Sequence, residues 1–253
     1  MKERGMIFNG EMVRAILDGR KTQTRRIIKQ RHLFKPVRGF GFEPESLNYP
    51  VHIPSGEEGE NALAWAKDNC PHGNPGDRIW VRETWSQLGN EDGCAIDWND
   101  ELVKGGGPEA ARIYRASCEQ KTGNYGLWSI PDDAFWKPHT DNMEFEGSWR
   151  PSIHMPRWAS RILLEITDVR VERLADISEQ NAATEGLSPA GDLLPAYPGT
   201  YLTPKGDFAT AKVAFQRLWE SIYGEVSWQV NPWVWVIEFM RVEGEGQYGG
   251  KRE

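Results

Sequence analysis

The eight residues Gly19-Arg20-Lys21-Thr22-Gln23-Thr24-Arg25-Arg26 carry two threonine hydroxyls and four cationic side chains. A hydrophobic core has no use for that density of polar groups. A site that handles an anionic or carbonyl-bearing ligand does. A solvated basic turn is the bland alternative.

The flanking residues say how such a site would be positioned. A short helix precedes it, with Asn9 as N-cap and Met12, Val13, Ile16 and Leu17 as its apolar stripe. Gly19 suits the left-handed position that ends a helix. Residues 22–28 alternate in strand fashion, so Thr22, Thr24 and Arg26 are expected on one face. Lys21 sits at the corner, where its stem could fold back over that face.

Gly19, Lys21, Thr24 and Arg26 match the G-x-K-x-x-T-x-R pattern of the ASCH domain family, whose fold is a small PUA-like β-barrel. Pro75-Gly76-Asp77-Arg78-Ile79-Trp80-Val81 resembles the family's Gly-Asp turn and following strand. Residues 174–187 resemble its acidic helix, and Trp235-Val236-Ile237-Glu238-Phe239 its closing strand. The matches are islands spread over roughly the whole chain, which also resembles prophage-encoded ASCH proteins. One branch of the family hydrolyses the amide of N4-acetylcytidine with a threonine, a lysine and a glutamate. The resemblance places these at Thr24, Lys21 and Glu185, with Glu83 and Glu179 as competitors for the third role. In that set a threonine hydroxyl becomes a nucleophile only when a nearby base takes its proton. Lys21 could be that base only when neutral, and crowding by Arg20, Arg25 and Arg26 pushes its pKa in that direction, while Arg26 could hold an oxyanion or a phosphate. It implies neither a metal nor a cofactor.

The formal charge of −7 argues against a protein that coats nucleic acid indiscriminately. Clustered Lys and Arg still permit a local cationic site. The twelve tryptophans can serve cores, interfaces or base-stacking platforms. The three cysteines have no paired C-x-x-C spacing, so a disulfide framework is not expected. Cys70-Pro71-His72 offers two metal ligands where zinc usually needs four at tighter spacing. No apolar run approaches membrane-spanning length and the N-terminus lacks a signal-peptide core, which leads us to expect a cytoplasmic protein with no membrane partner.

Along the chain the expectation is an α+β fold, a mixed PUA-like barrel with flanking helices, as one domain over residues 5–242 with two loop-rich insertions at about 30–74 and 86–148. Strands are expected at 78–85, 113–116, 162–173 and 233–242, helices near 60–68, 176–186 and 208–223, a loop over 187–207 and a disordered tail at 243–253. On the strand at 78–85, Trp80 and Arg82 alternate with Ile79 and Val81, and Glu83 continues the apolar face. The stretch 147–161 interleaves Trp149 and Trp158 with Arg150, His154, Arg157 and Arg161, a composition suited to stacking a base and holding a phosphate. Its bland reading is a loop anchored by two tryptophans.

Three functions are compatible with these residues. The first is an amidohydrolase acting on an N4-acylated cytidine through Lys21, Thr24 and Glu185, with Arg26, Trp80, Arg82, Glu83, Trp149, Arg150, His154, Arg157 and Trp158 contacting the substrate. The second is a non-catalytic module that grips RNA, DNA or a single extruded base. The third is a ribonuclease that uses Lys21 and Arg26 on the phosphorane and His154 or Glu185 as base. The partner in each case is a nucleoside or a nucleic acid.

Overall fold

In the computed structural model, residues 1–29, 60, 64, 67–127 and 143–242 are described. The helix expected near 60–68 is described only at residues 60, 64, 67 and 68. Most of the first insertion, Trp128, Phe135 and Trp136 of the second, and the tail 243–253 lie outside the described residues.

The elements begin with β1 (Glu3–Ile7), α1 (Gly10–Leu17), β2 (Gln23–Ile27) and β3 (Arg78–Arg82). Next come β4 (Trp85–Gln87), β5 (Arg112–Tyr114), the single-turn α2 (Arg115–Cys118), β6 (Glu119–Lys121) and β7 (Asn124–Tyr125). After them lie β8 (Leu163–Arg173), α3 (Glu179–Ala183), β9 (Ser188–Pro189), β10 (Thr200–Leu202), β11 (Phe208–Thr210), α4 (Ala211–Tyr223) and β12 (Trp233–Arg241). The class is α+β. The largest sheet has the strand order β1-β3-β8-β12-β2, without a pairing among the described residues that closes it into a ring.

The chain divides into two compact units. The first comprises Met1–Glu3, Ala15–Arg78 and Glu165–Met240, and the second Arg4–Arg14, Ile79–Leu164 and Arg241–Glu253.

In the first unit β12 runs antiparallel to β2, with Trp235 opposite Arg26, Val236 opposite Arg25, Ile237 opposite Thr24 and Glu238 opposite Gln23. Side chains directly opposite share a face. Val234 and Val236 therefore turn to the side where Leu174, Ile177, Ala182, Phe215 and Trp219 form a core, with Ile27 packed against it. Trp235, Ile237 and Phe239 turn to the other side and are also buried. This is why β12 reads as apolar on both faces.

Two expectations change here. Residues 208–210 are extended and pair with β10, so the final helix starts at Ala211. Glu179 fixes that start: its carboxylate accepts the Thr210 hydroxyl at 2.9 Å and the Lys212 N–H at 2.9 Å, filling the role of an N-cap. The segment expected as a loop over 187–207 supplies β9 and β10 of a three-stranded sheet. Pro189 is tolerated there because β9 is an edge strand, where a missing N–H leaves no ladder partner unpaired. Helix α4 buries Ala211, Ala214, Phe215 and Trp219. Each large side chain so buried contributes about 1.5–3 kcal/mol.

In the second unit β4 pairs with β5 and β6 with β7. Leu88, Ala111, Ile113, Cys118 and Leu127 form one core, and Trp85, Met155 and Ala159 another. The segment around 86–148 thus carries an apolar cluster of its own. A Cβ at Gly5 would sit 2.6 Å from the Trp80 indole, so only glycine lets that ring lie against the β1 backbone.

Candidate functional site

Lys21 leaves α1 through a tight turn: its N–H bonds the Ala15 carbonyl at 2.9 Å. The N–H of Thr22 then bonds the Thr184 carbonyl at 3.0 Å, which lays the start of β2 against the end of α3. Helix α3 is capped by the Ser178 hydroxyl, which accepts the Asn181 N–H at 3.1 Å. Its exit turn needs Gly186, which has φ of +94°. A Cβ there would also lie 2.8 Å from the Ala15 Cβ and 2.9 Å from the Lys21 Cβ. Both constraints bring Glu185 and Lys21 together.

The Lys21 ammonium donates to the Glu185 carboxylate (Oε2, 2.8 Å) and to the Glu185 carbonyl (2.8 Å). Both side chains are almost fully buried. Burial pushes the lysine's proton affinity below its ordinary value; the Glu185 charge and hydrogen bond oppose this, while Arg26 and Arg25 add to it. The second carboxylate oxygen, Oε1, accepts from Arg25 Nη1 at 2.6 Å. Arg25 in turn donates through Nε to Glu172 Oε1 at 3.2 Å and is bonded to the same oxygen through Nη2. Its guanidinium carbon lies 5.7 Å from the Phe215 ring centre. Arg170 extends the network to Glu172, Glu238 and the Gln23 amide oxygen. Gln23 anchors it to α3 through the Asn181 carbonyl at 2.8 Å and the Thr184 hydroxyl.

Lys21, Gln23 and Arg25 therefore act on one side of β2, with Glu185, Glu172 and Arg170. Thr24 and Arg26 lie on the other side by strand alternation, opposite Ile237 and Trp235. The expectation that the Lys21 stem folds over the threonine face is corrected here, because both of its ammonium bonds go to Glu185. Thr24 is a buried residue, and its hydroxyl has no hydrogen-bond partner among the described residues. Glu179, a competitor for the glutamate role, is occupied in capping α4.

The other expected contacts belong to the second unit. Glu83, 1 % exposed, takes a two-pronged bond from Arg161 at 2.9 and 3.1 Å. The Arg161 guanidinium stacks 4.1 Å over the Tyr114 ring. Tyr114 donates to the Ala159 carbonyl at 2.9 Å, and burial raises its pKa. Arg82 lies 5.4 Å from the half-buried Trp80 ring and donates to the Ser152 and Ile153 carbonyls. Trp158 meets Trp85 edge-on at 5.4 Å, and Trp149 packs against Tyr125 and Phe145. Both tryptophans are thus anchored in apolar clusters. Arg150, His154 and Arg157 stand exposed on the same loop.

Sequence reasoning missed Arg25 as a partner of Glu185, and missed Glu172 and Arg170 altogether. Period-two spacing was the available signal: Lys21, Gln23 and Arg25 fall on one strand face, as do Arg170 and Glu172 on β8. No protein-family model, curated protein or solved structure matches the chain.

Proposed function

We propose that this chain is an ASCH-type protein with a PUA-like fold, acting on modified pyrimidine nucleosides or bases, and that its reaction is hydrolysis of the amide of an N4-acylated cytidine. The observation that carries this reading is the buried contact between Lys21 and Glu185, two residues 164 positions apart that the resemblance pairs and that meet at 2.8 Å. Burial lowers the proton affinity of Lys21, which makes the neutral amine easier to reach and suits it to a general-base role. Glu185 can relay that proton. In the reaction, water is consumed: the acyl carbon gains an oxygen, the C–N bond breaks, and the cytidine amine leaves with a proton. Products are a carboxylate and cytidine.

Thr24 is the nucleophile that the resemblance implies. Its hydroxyl has no hydrogen-bond partner among the described residues, which suits a group that must meet a substrate, and it faces away from the Lys21 pair. Thr24→Ala decides the matter. Lost turnover with an intact fold assigns the attack to Thr24, and retained turnover assigns it to a water on the Lys21 side.

A second reading, a nucleic-acid-binding module, is favoured by the exposed Arg150 and Arg157, with the exposed His154 between them, on one loop. Incubation with N4-acetylcytidine, following cytidine by chromatography, separates the two. The hydrolase releases cytidine at a rate insensitive to salt. The binding module releases none and holds oligonucleotides with an affinity that falls steeply as salt rises.

A further inference from the structure

Glu185 is the centre of a buried charge cluster rather than the partner of one lysine. Its two oxygens are divided, Oε2 to Lys21 at 2.8 Å and Oε1 to Arg25 at 2.6 Å. Arg25 is itself divided between Glu185 and Glu172. Its side chain is fully shielded from solvent, and Glu172 is one-fifth exposed. In a buried Lys–Glu pair the carboxylate charge and hydrogen bond oppose the lowering of the lysine's proton affinity that burial causes. A guanidinium on the far oxygen weakens that opposition, because the same carboxylate charge now serves two cations. The guanidinium cannot give up its own proton, so it competes without titrating.

We propose that Arg25 and Glu172 are positioning residues that set the proton affinity of Lys21 by sharing the Glu185 carboxylate: Arg25 draws on its Oε1, and Glu172 limits how strongly Arg25 does so. The inference rests on the reading that Lys21 and Glu185 are the working pair. The charged groups facing Lys21 are Arg25 and Arg26 from β2 and Glu185 from the turn after α3. Beyond Arg25 stand Glu172 and Arg170 from β8, and Glu238 from β12. Arg20 is taken up by Asp18 and the Gly186 and Leu187 carbonyls. Among the described residues only Arg25 shares with Lys21 the Glu185 side-chain carboxylate, so the two substitutions on that path have opposite signs. Removing Arg25 returns the whole Glu185 charge to Lys21 and raises its pKa. Removing the charge of Glu172 frees Arg25 to draw harder on Glu185 and lowers it.

The test is a pH titration of the Lys21 side chain by NMR in protein labelled at lysine, with Lys21→Met assigning the resonance. Arg25→Gln is expected to move the titration to higher pH, Glu172→Gln to lower pH, and Arg25→Lys to return it close to wild type. Shifts of one sign in the first two variants, or no shift in either, overturn the proposal. Should Arg25→Gln fail to fold, Glu172→Gln still decides through the sign of its own shift, since Glu172 is partly exposed and its replacement is isosteric. The pH dependence of cytidine release should move in the same directions. Absence of turnover in the wild type with the opposite shifts present removes the hydrolytic reading and leaves this one. Turnover with unmoved titrations does the reverse.

Discussion

Two buried glutamates make the most informative comparison in this protein. Glu83, in the second unit, is locked by the two-pronged bond from Arg161, and Tyr114 covers the guanidinium. Glu185, in the first, is split between Lys21 and Arg25. Both carboxylates are almost wholly out of water. The first cluster pairs its carboxylate with a guanidinium, a group that does not give up its proton, in a rigid two-pronged geometry. The second includes an amine whose proton affinity burial has already lowered. Burial alone does not make a site. A buried carboxylate becomes chemically useful when one of its partners can lose a proton near working pH.

The sharpest way to break this contrast is Lys21→Met. A positioned acid–base group contributes typically about 10²–10⁴-fold, and cytidine release should fall by that order, read as kcat/KM. Glu83→Ala should act in the opposite sphere. Breaking a buried pair strands the Arg161 charge and costs about 3–5 kcal/mol, seen as a lower urea midpoint, while kcat/KM per folded molecule is unchanged.

Gly186→Ala sharpens the contrast within the first unit. Strain at its positive φ, together with the clash against Lys21 and Ala15, should cost roughly 1–3 kcal/mol in thermal or urea unfolding and reduce turnover by displacing the lysine stem. The lysine also leaves a signature in stability against pH. Its folded pKa lies below the unfolded value of 10.5, so between the two the unfolded chain binds more protons. Unfolding free energy therefore rises with pH across that window, and Lys21→Met should remove the rise in a series of urea melts. The smallest effect is expected from replacing the exposed Arg150, His154 and Arg157 together by alanine. Stability should stay within about 0.5 kcal/mol per position, and nucleoside turnover should not change. A loss of oligonucleotide binding with a shallower salt slope would instead favour the binding module.

Legibility in the sequence followed the range of the forces involved. Helix α1, strand β2, the long strand β8 and the apolar strand β12 could be read because each is set by a local period and a recognisable stop such as Gly19. The start of α4 was misplaced because residues 208–210 are recruited by pairing with β10, a partner several residues upstream that periodicity cannot see. The same holds for β9 and β10, whose proline- and glycine-rich composition suits loops until a third strand completes the sheet. The tryptophans of the 147–161 loop show a different limit. Composition suggested stacking platforms, but Trp149 finds Tyr125 and Phe145, and Trp158 finds Trp85, at positions no spacing rule foretells. At the site, Lys21 and Glu185 could be named from the resemblance. The roles of Arg25 and Glu172 required three-dimensional contact between β2 and β8.

The most direct test sets Lys21→Met beside Glu83→Ala in one assay, measuring kcat/KM for release of cytidine from N4-acetylcytidine and normalising each to the folded fraction. The expected result is turnover in the wild type, a loss of about a hundredfold or more in Lys21→Met, and wild-type kcat/KM in the folded Glu83→Ala protein. No release by the wild type, or equal turnover in Lys21→Met, would contradict it.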